Sequence, residues 1–144
     1  MDVIEMTLMT KRPCNVFQIP PITSSSGHKA EDWRGKQMWT GFCRVMMEGA
    51  DKCKIQFVNE DNTLFAQTQF AQENYEQYVQ RCIDSSRFFA ILLINEQSGQ
   101  RANIGVQYPE RNDSFDFIGS LDTYRKHYRV EKGLDKPQSS NKPA

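Results

Sequence analysis

The hydrophobic pattern changes character near Pro109. Upstream of it, apolar residues recur at every second position or in short runs, the spacing of strands. The clearest case is residues 52–58, where Cys53, Ile55 and Phe57 alternate with Lys52, Lys54 and Gln56. Residues 39–47 place Trp39, Cys43, Val45 and Met47 on one face, with Thr40 and Arg44 opposite. Residues 101–108 alternate again, with Ala102, Ile104, Val106 and Tyr108 together. Residues 87–94 are nearly all apolar and predict a central strand covered on both faces. Weaker strands are predicted over 14–19, 63–68 and 78–83, which makes seven. Turn chemistry separates them: Pro20-Pro21, the Glu60-Asp61-Asn62 run, Asp84-Ser85-Ser86 and Ser98-Gly99. Residues 30–35 predict one helical turn, and residues 69–77 leave their conformation open.

After Pro109 the period becomes helical. Phe115, Ile118, Leu121, Tyr124 or Arg125, and Tyr128 recur every three to four residues. Asn112 or Asp113 is placed to cap the start. Arg125, Lys126, His127 and Arg129 suit the negative end of the helix dipole, and Gly133 marks its end. Residues 1–12 read as a lead-in and 13–132 as one domain. Residues 133–144 read as a tail, rich in Pro, Ser and Lys, that is expected to be disordered. The fold class is therefore mainly β with one C-terminal α-helix. A meander of about seven antiparallel strands closed by a late amphipathic helix is the layout of the pleckstrin-homology superfold. Two sheets are expected to pack nearly orthogonally, with the helix filling the open corner. Phe115, Ile118 and Leu121 are the expected plug, and Ile104 is expected to face the core.

Composition narrows the function. Lys plus Arg and Asp plus Glu both number 18, so no whole-protein charge footprint for nucleic acid exists. No run of about 18 apolar residues is present, and the first residues lack the basic front and apolar core of a secretory signal. The four cysteines, Cys14, Cys43, Cys53 and Cys82, are widely spaced and read as reduced core residues of a cytoplasmic protein. His28 and His127 lie far from any short-spaced cysteine pair, so neither a metal nor a cofactor is expected. No Cys, His and Asp set or carboxylate pair has catalytic spacing. A non-enzymatic recognition module, monomeric, is the expectation.

Particular strings then carry a resemblance. Ile19-Pro20-Pro21; Ala30-Glu31-Asp32-Trp33; Trp39-Thr40-Gly41; Leu64-Phe65-Ala66-Gln67; Asp84-Ser85-Ser86-Arg87-Phe88-Phe89; Ile104-Gly105; and Arg111-Asn112-Asp113-Ser114-Phe115-Asp116-Phe117 fall in order over roughly residues 16–130. Together they resemble the NECAP family, the adaptin-ear-binding coat-associated proteins. The resemblance implies the PH-like domain named PHear in that family, with no enzyme activity. It implies a cytoplasmic module, peripheral on clathrin-coated pits and vesicles. Its implied partners are the plasma-membrane clathrin adaptor complex (adaptor complex 2), including its phosphorylated form, and Phe-x-Asp-x-Phe peptides of endocytic accessory proteins. Family members usually carry a proline-rich tail ending in Trp-x-x-Phe, which this sequence does not show. Trp39-Thr40-Gly41-Phe42 fits those letters but lies inside a predicted strand and reads as core and turn.

Six residues are the candidate contacts: Ser85, Ser86, Arg87, Arg111, Asp113 and Phe117. Arg111, at the strand-to-helix junction, either bridges to Asp113 or Asp116 or offers a planar fork to a partner's carboxylate or phosphate. Ser85 and Ser86 either close their own turn or donate to a docked chain. Arg87 should lie at the exposed end of its strand, and the 84–87 turn and the 109–112 junction could share one end of the fold. Asp113 reads first as a helix N-terminal charge. Phe115 and Phe117 lie ~200° apart on a helix, so only one can centre the core stripe. Phe117 is then either in a wider buried stripe or partly exposed as an interaction surface. Lys29, Arg34 and Lys36 near Trp33 keep a phosphoinositide-binding alternative open, although residues 43–54 lack the dense basic pattern that such a site needs.

Overall fold

The computed structural model describes residues 5–19, 29–33, 35–94 and 98–134. Seven strands precede one helix: β1 (Glu5–Gln18), β2 (Gln37–Glu48), β3 (Lys52–Val58), β4 (Leu64–Phe70), β5 (Val79–Arg81), β6 (Phe88–Ile94), β7 (Arg101–Gln107) and α1 (Arg111–Glu131). Short 3-10 turns cover Ala30–Trp33 and Tyr75–Gln77. The expected 133–144 tail lies almost wholly outside the described residues.

The strands form one sheet in the order β4-β3-β2-β1-β7-β6-β5, every neighbouring pair antiparallel. This differs from two separate sheets. The corner is made inside β1, which is longer than the expected first strand and begins at Glu5. Its pairing with β2 shifts register between Thr7 and Met9 and again between Lys11 and Cys14. Such irregularities bend a strand and increase its twist. Beyond the second shift, Asn15 to Gln18 also pair with β7, so one strand serves both halves. The ends of the sheet curl together, with Phe70 of β4 stacked on Tyr78 at 4.5 Å and the Leu92 N–H donating to the Tyr78 carbonyl at 2.8 Å.

The alternation read from sequence holds on the inner face. Cys43, Val45 and Met47 of β2 and Cys53, Ile55 and Phe57 of β3 are buried, as are Ile104 and Val106 of β7. All four cysteines are buried and unpaired. Tyr108 Oη donates to Cys43 Sγ at 2.9 Å in the core, and burial pushes both this phenol and the Cys14 thiol well above their ordinary ranges. Burial, with Cys43 nearby, pushes the Cys53 thiol up to about 12. Protonated buried thiols are poor nucleophiles. Thiol titration should therefore be slow on the native chain at pH 8 and should find all four cysteines after unfolding without reductant. Rapid native reaction, or fewer thiols, would contradict this core.

The helix register differs from expectation. Ser114, Phe117, Ser120, Leu121 and Tyr124 form the buried stripe. Phe117 is 0% exposed, whereas Phe115 is 53% exposed. The Phe117 ring lies 5.1 Å from Phe89 and 5.2 Å from Tyr108. Two serines conceal this stripe in the sequence. Each hydroxyl is satisfied by a carbonyl three residues back, Ser114 on Arg111 at 2.7 Å and Ser120 on Phe117 at 2.6 Å, so serine is buried at no hydrogen-bonding loss. The cap also differs. Glu110 is the N-cap residue and makes no side-chain bond; its carbonyl accepts from Asp113 and Ser114. At the far end the Leu134 N–H donates to the Arg129 carbonyl and Gly133 N–H to the Val130 carbonyl, with Gly133 at φ +74°. That is a left-handed glycine stop.

A smaller cluster sits on the other face of β1, β7 and β6. Trp33, carried by the first 3-10 turn, packs with Phe17 and Phe88 at centroid distances of 6.3 and 6.0 Å. Gly105 makes room for it: a Cβ there would lie 2.6 Å from the Trp33 ring and 2.7 Å from Ile19 Cγ2. Gly105→Ala should therefore cost ~1–3 kcal/mol through overpacking, measured by urea unfolding. A variant as stable as the parent would show that the indole does not hold this seat.

Candidate functional site

The 84–87 turn and the 109–111 junction meet. Arg87 Nη1 donates to the Pro109 carbonyl at 2.9 Å, and the Tyr108 N–H donates to the Arg87 carbonyl at 3.0 Å. The meeting follows from topology, because β6 and β7 are neighbours and Phe88, at the start of β6, pairs with Gln107, at the end of β7. Ser85 Oγ accepts from the Arg87 N–H at 3.2 Å, so this hydroxyl closes its own turn. Ser85 and Ser86 are half-buried and Arg87 is exposed.

Asp84 anchors the turn from the other side. Its two carboxylate oxygens accept from the backbone N–H groups of Ala30 (2.8 Å) and Glu31 (3.2 Å). Partial burial pushes this carboxyl up, but those two bonds, with Lys29 nearby, outweigh it and hold it below its usual range. The turn is thereby tied to the Trp33 turn, and the two flank an open cleft of about 470 Å³ lined by Phe17, Ala30, Glu31, Trp33, Asp84 and Phe88. The cleft was not legible in the sequence, since its walls come from three separate segments of the chain.

On the helix side, Lys11 decides what Arg111 does. Lys11 Nζ lies 2.7 Å from Asp116 and 3.4 Å from Asp113. Hydrogen bonding to Asp116 raises the Lys11 ammonium above its ordinary value, against a little burial and with support from Asp113. Both carboxylates that could have engaged Arg111 are therefore occupied by β1. Arg111 is exposed, and its guanidinium makes no hydrogen bond or ion pair among the described residues. One turn along the helix stands the exposed Phe115. The junction thus presents two arginines, one of them anchored, beside an exposed phenyl ring.

Of the six candidate contacts, Arg87 and Arg111 reach the surface here, and Ser85 and Ser86 are half-buried in the turn that precedes Arg87. Asp113 is engaged by Lys11. Phe117 corrects an expectation: fully buried, it cannot touch a partner, and Phe115 takes the exposed position instead. Trp39 and Phe42 lie within β2, where Trp39 Nε1 donates to Asn59 Oδ1 at 2.7 Å and the indole stacks on Phe65 at 4.7 Å. Lys29 and Lys36 are exposed, and Arg34 lies outside the described residues. Among the described residues, no three His, Cys, Asp or Glu side chains gather in a way that could hold a metal ion, and no helix is long and apolar enough to cross a membrane.

A family model described as "Protein of unknown function (DUF1681)" matches residues 4–144. Adaptin ear-binding coat-associated protein 1 of Mus musculus is 34% identical over 146 residues, covering 96% of this chain and 51% of that protein. The chain belongs to the NECAP family. The human relative of the same name is 34% identical over 137 residues, covering 92% of this chain and 48% of that protein. An uncharacterized protein of Arabidopsis thaliana is also 34% identical, over 141 residues, with 96% and 51% covered. This NECAP-family chain spans about half the length of the curated relatives it matches. Among solved structures, the Ran-binding domain of the nuclear pore component Nup2 from Ashbya gossypii superposes with a TM-score of 0.60 at 9% identity, covering 85% of this chain and 98% of that one. That likeness shows the PH-like fold of the NECAP-family domain and nothing about its partners.

Proposed function

We propose that this domain is a non-enzymatic accessory module of clathrin-mediated endocytosis. It binds the plasma-membrane clathrin adaptor complex, phosphorylated or not, and Phe-x-Asp-x-Phe peptides of accessory proteins. It acts as a cytoplasmic monomer, peripheral on coated pits. The observation that carries this reading is the junction itself: Arg111 stands free of the acidic residues beside it because Lys11 engages both, and Arg87 and Phe115 flank it. Names of relatives that align along nearly the whole chain support the choice of partner. A guanidinium offers paired, charge-assisted bonds to carboxylate or phosphate, and an exposed phenyl offers an apolar contact. A single Phe anchor supplies only ~1.5–3 kcal/mol. Useful affinity then comes from repeated motifs or from a second contact on the adaptor.

Pull-down and calorimetry of the chain with purified adaptor core, phosphorylated and unphosphorylated, test the reading. Binding of at least one form is expected. A folded chain that binds neither form, and no Phe-x-Asp-x-Phe peptide, would overturn it. Flotation with phosphoinositide vesicles tests the lipid alternative, which the ion pairs disfavour: Lys54 is engaged by Glu5 and Glu48, and Lys52 by Glu48.

A further inference from the structure

On the face of the sheet opposite the core, four side chains form one row across four strands. Thr10 of β1 pairs with Arg44 of β2, Arg44 with Gln56 of β3, and Gln56 with Gln67 of β4. Arg44 Nε donates to Gln56 Oε1 at 3.2 Å, and Gln56 Nε2 donates to Gln67 Oε1 at 3.0 Å. This amide relay fixes one edge of the guanidinium. It leaves both terminal nitrogens without a partner among the described residues. Arg44 lines a hollow of about 100 Å³ with Thr10, Phe42, Val58 and Asn62. The Thr10 hydroxyl and the Asn62 side-chain amide are also without hydrogen-bond partners among the described residues. Arg12 lies over the Phe42 ring at 5.1 Å and pairs with Glu60 at 3.0 Å.

We propose that this hollow binds a phosphate monoester carried by a protein partner. Arginine held through Nε keeps its end-on fork for two oxygens of one anion. The Thr10 hydroxyl and Asn62 amide supply neutral donors for the remaining oxygens, more than a planar carboxylate would use. Side-chain order is the cost of such a contact, and here the Gln56–Gln67 relay has already met it. Arg44 is the one cation among the described lining residues and the nearby Arg12 is paired with Glu60, whereas an anionic membrane surface is held by several basic side chains together. The site is separate from the strand-to-helix junction, since Lys11, next to Thr10, reaches the helix instead.

The test is a titration of the full chain with inorganic phosphate, followed by NMR at Arg44 Nε and at the Thr10 and Asn62 amides. Saturable shifts are expected, with none from sodium chloride at equal ionic strength. A phosphoserine peptide should move the same signals, and its unphosphorylated form should not. Arg44→Lys should weaken binding ~10-fold, because an ammonium can neither hold Gln56 through Nε nor present a fork. Thr10→Val and Asn62→Gly should each weaken it ~3-fold, and the glycine keeps the φ of +70° found at Asn62. These two variants carry the test if Arg44→Lys does not fold. Absence of saturable shifts, or undiminished binding in the folded variants, would overturn the proposal. Arg44-dependent flotation with phosphatidylcholine vesicles carrying phosphatidylinositol bisphosphate, without a response to the phosphopeptide, would overturn it in favour of a membrane ligand.

Discussion

Arg111→Ala should weaken binding to the clathrin adaptor core by ~10-fold or more, the loss expected when a desolvated charge-assisted contact is removed. The melting temperature should stay within about 2 °C of the parent, because an exposed, unpaired arginine contributes little to stability. The two readouts separate because Asp113 and Asp116 are held by Lys11, so removing Arg111 breaks no ion pair among the described residues. Arg111→Lys should restore affinity only in part, since the ammonium keeps the charge and loses the planar fork. Calorimetry with purified adaptor core and a thermal melt of each variant check this. Unchanged affinity in a folded Arg111→Ala chain would sink the assignment of the junction. It would leave the fold and family untouched.

The largest effect on stability is expected at Phe117. Phe117→Ala should cost ~3–5 kcal/mol, the range for removing a fully buried phenyl and leaving a cavity. The ring fills the space between Phe89 on β6, Tyr108 just past the end of β7 and the helix, and both neighbours are themselves fully buried, with little room to shift into the gap. Phe115→Ala, two residues away, should cost under ~1 kcal/mol and should instead reduce partner binding. Urea unfolding of both variants decides the helix register. Equal losses, or a larger loss at Phe115, would mean that the helix is rotated from the position described.

The ion pairs of Lys11 tie the two predictions together. They join the β1 register shift to the first two turns of α1, and Asp113 in the first turn also suits the positive end of the helix dipole. Such half-exposed pairs add little to stability individually. Their effect is on availability, since they remove the acidic neighbours of Arg111 from competition for its guanidinium. Lys11→Ala should therefore lower adaptor affinity while leaving Arg111 in place.

The strands were legible because a half-buried strand must alternate, and Cys53, Ile55 and Phe57 alternate with Lys52, Lys54 and Gln56. Ile104 was legible for the same reason. The helix was legible as a change of period after Pro109, but its register was not. Phe115, Ile118 and Leu121 satisfy helical spacing as well as Phe117, Leu121 and Tyr124 do, and the buried Ser114 and Ser120 look polar until their hydroxyls are seen to bond their own helix. The early start of β1 was hidden because a bent strand with register shifts loses its period of two. That Arg87 and Arg111 belong to one surface was expected from the sequence only as a possibility, since it depends on β6 and β7 being neighbours. The Arg44 row was not visible at all, since Thr10, Gln56 and Gln67 are unremarkable polar residues until strand pairing aligns them. Sequence alone determined that seven strands precede one helix and which face of β2 and β3 is core, because local periodicity records burial. Tertiary structure alone decided which arginines are free, because a charge is free or engaged according to residues far away in the chain.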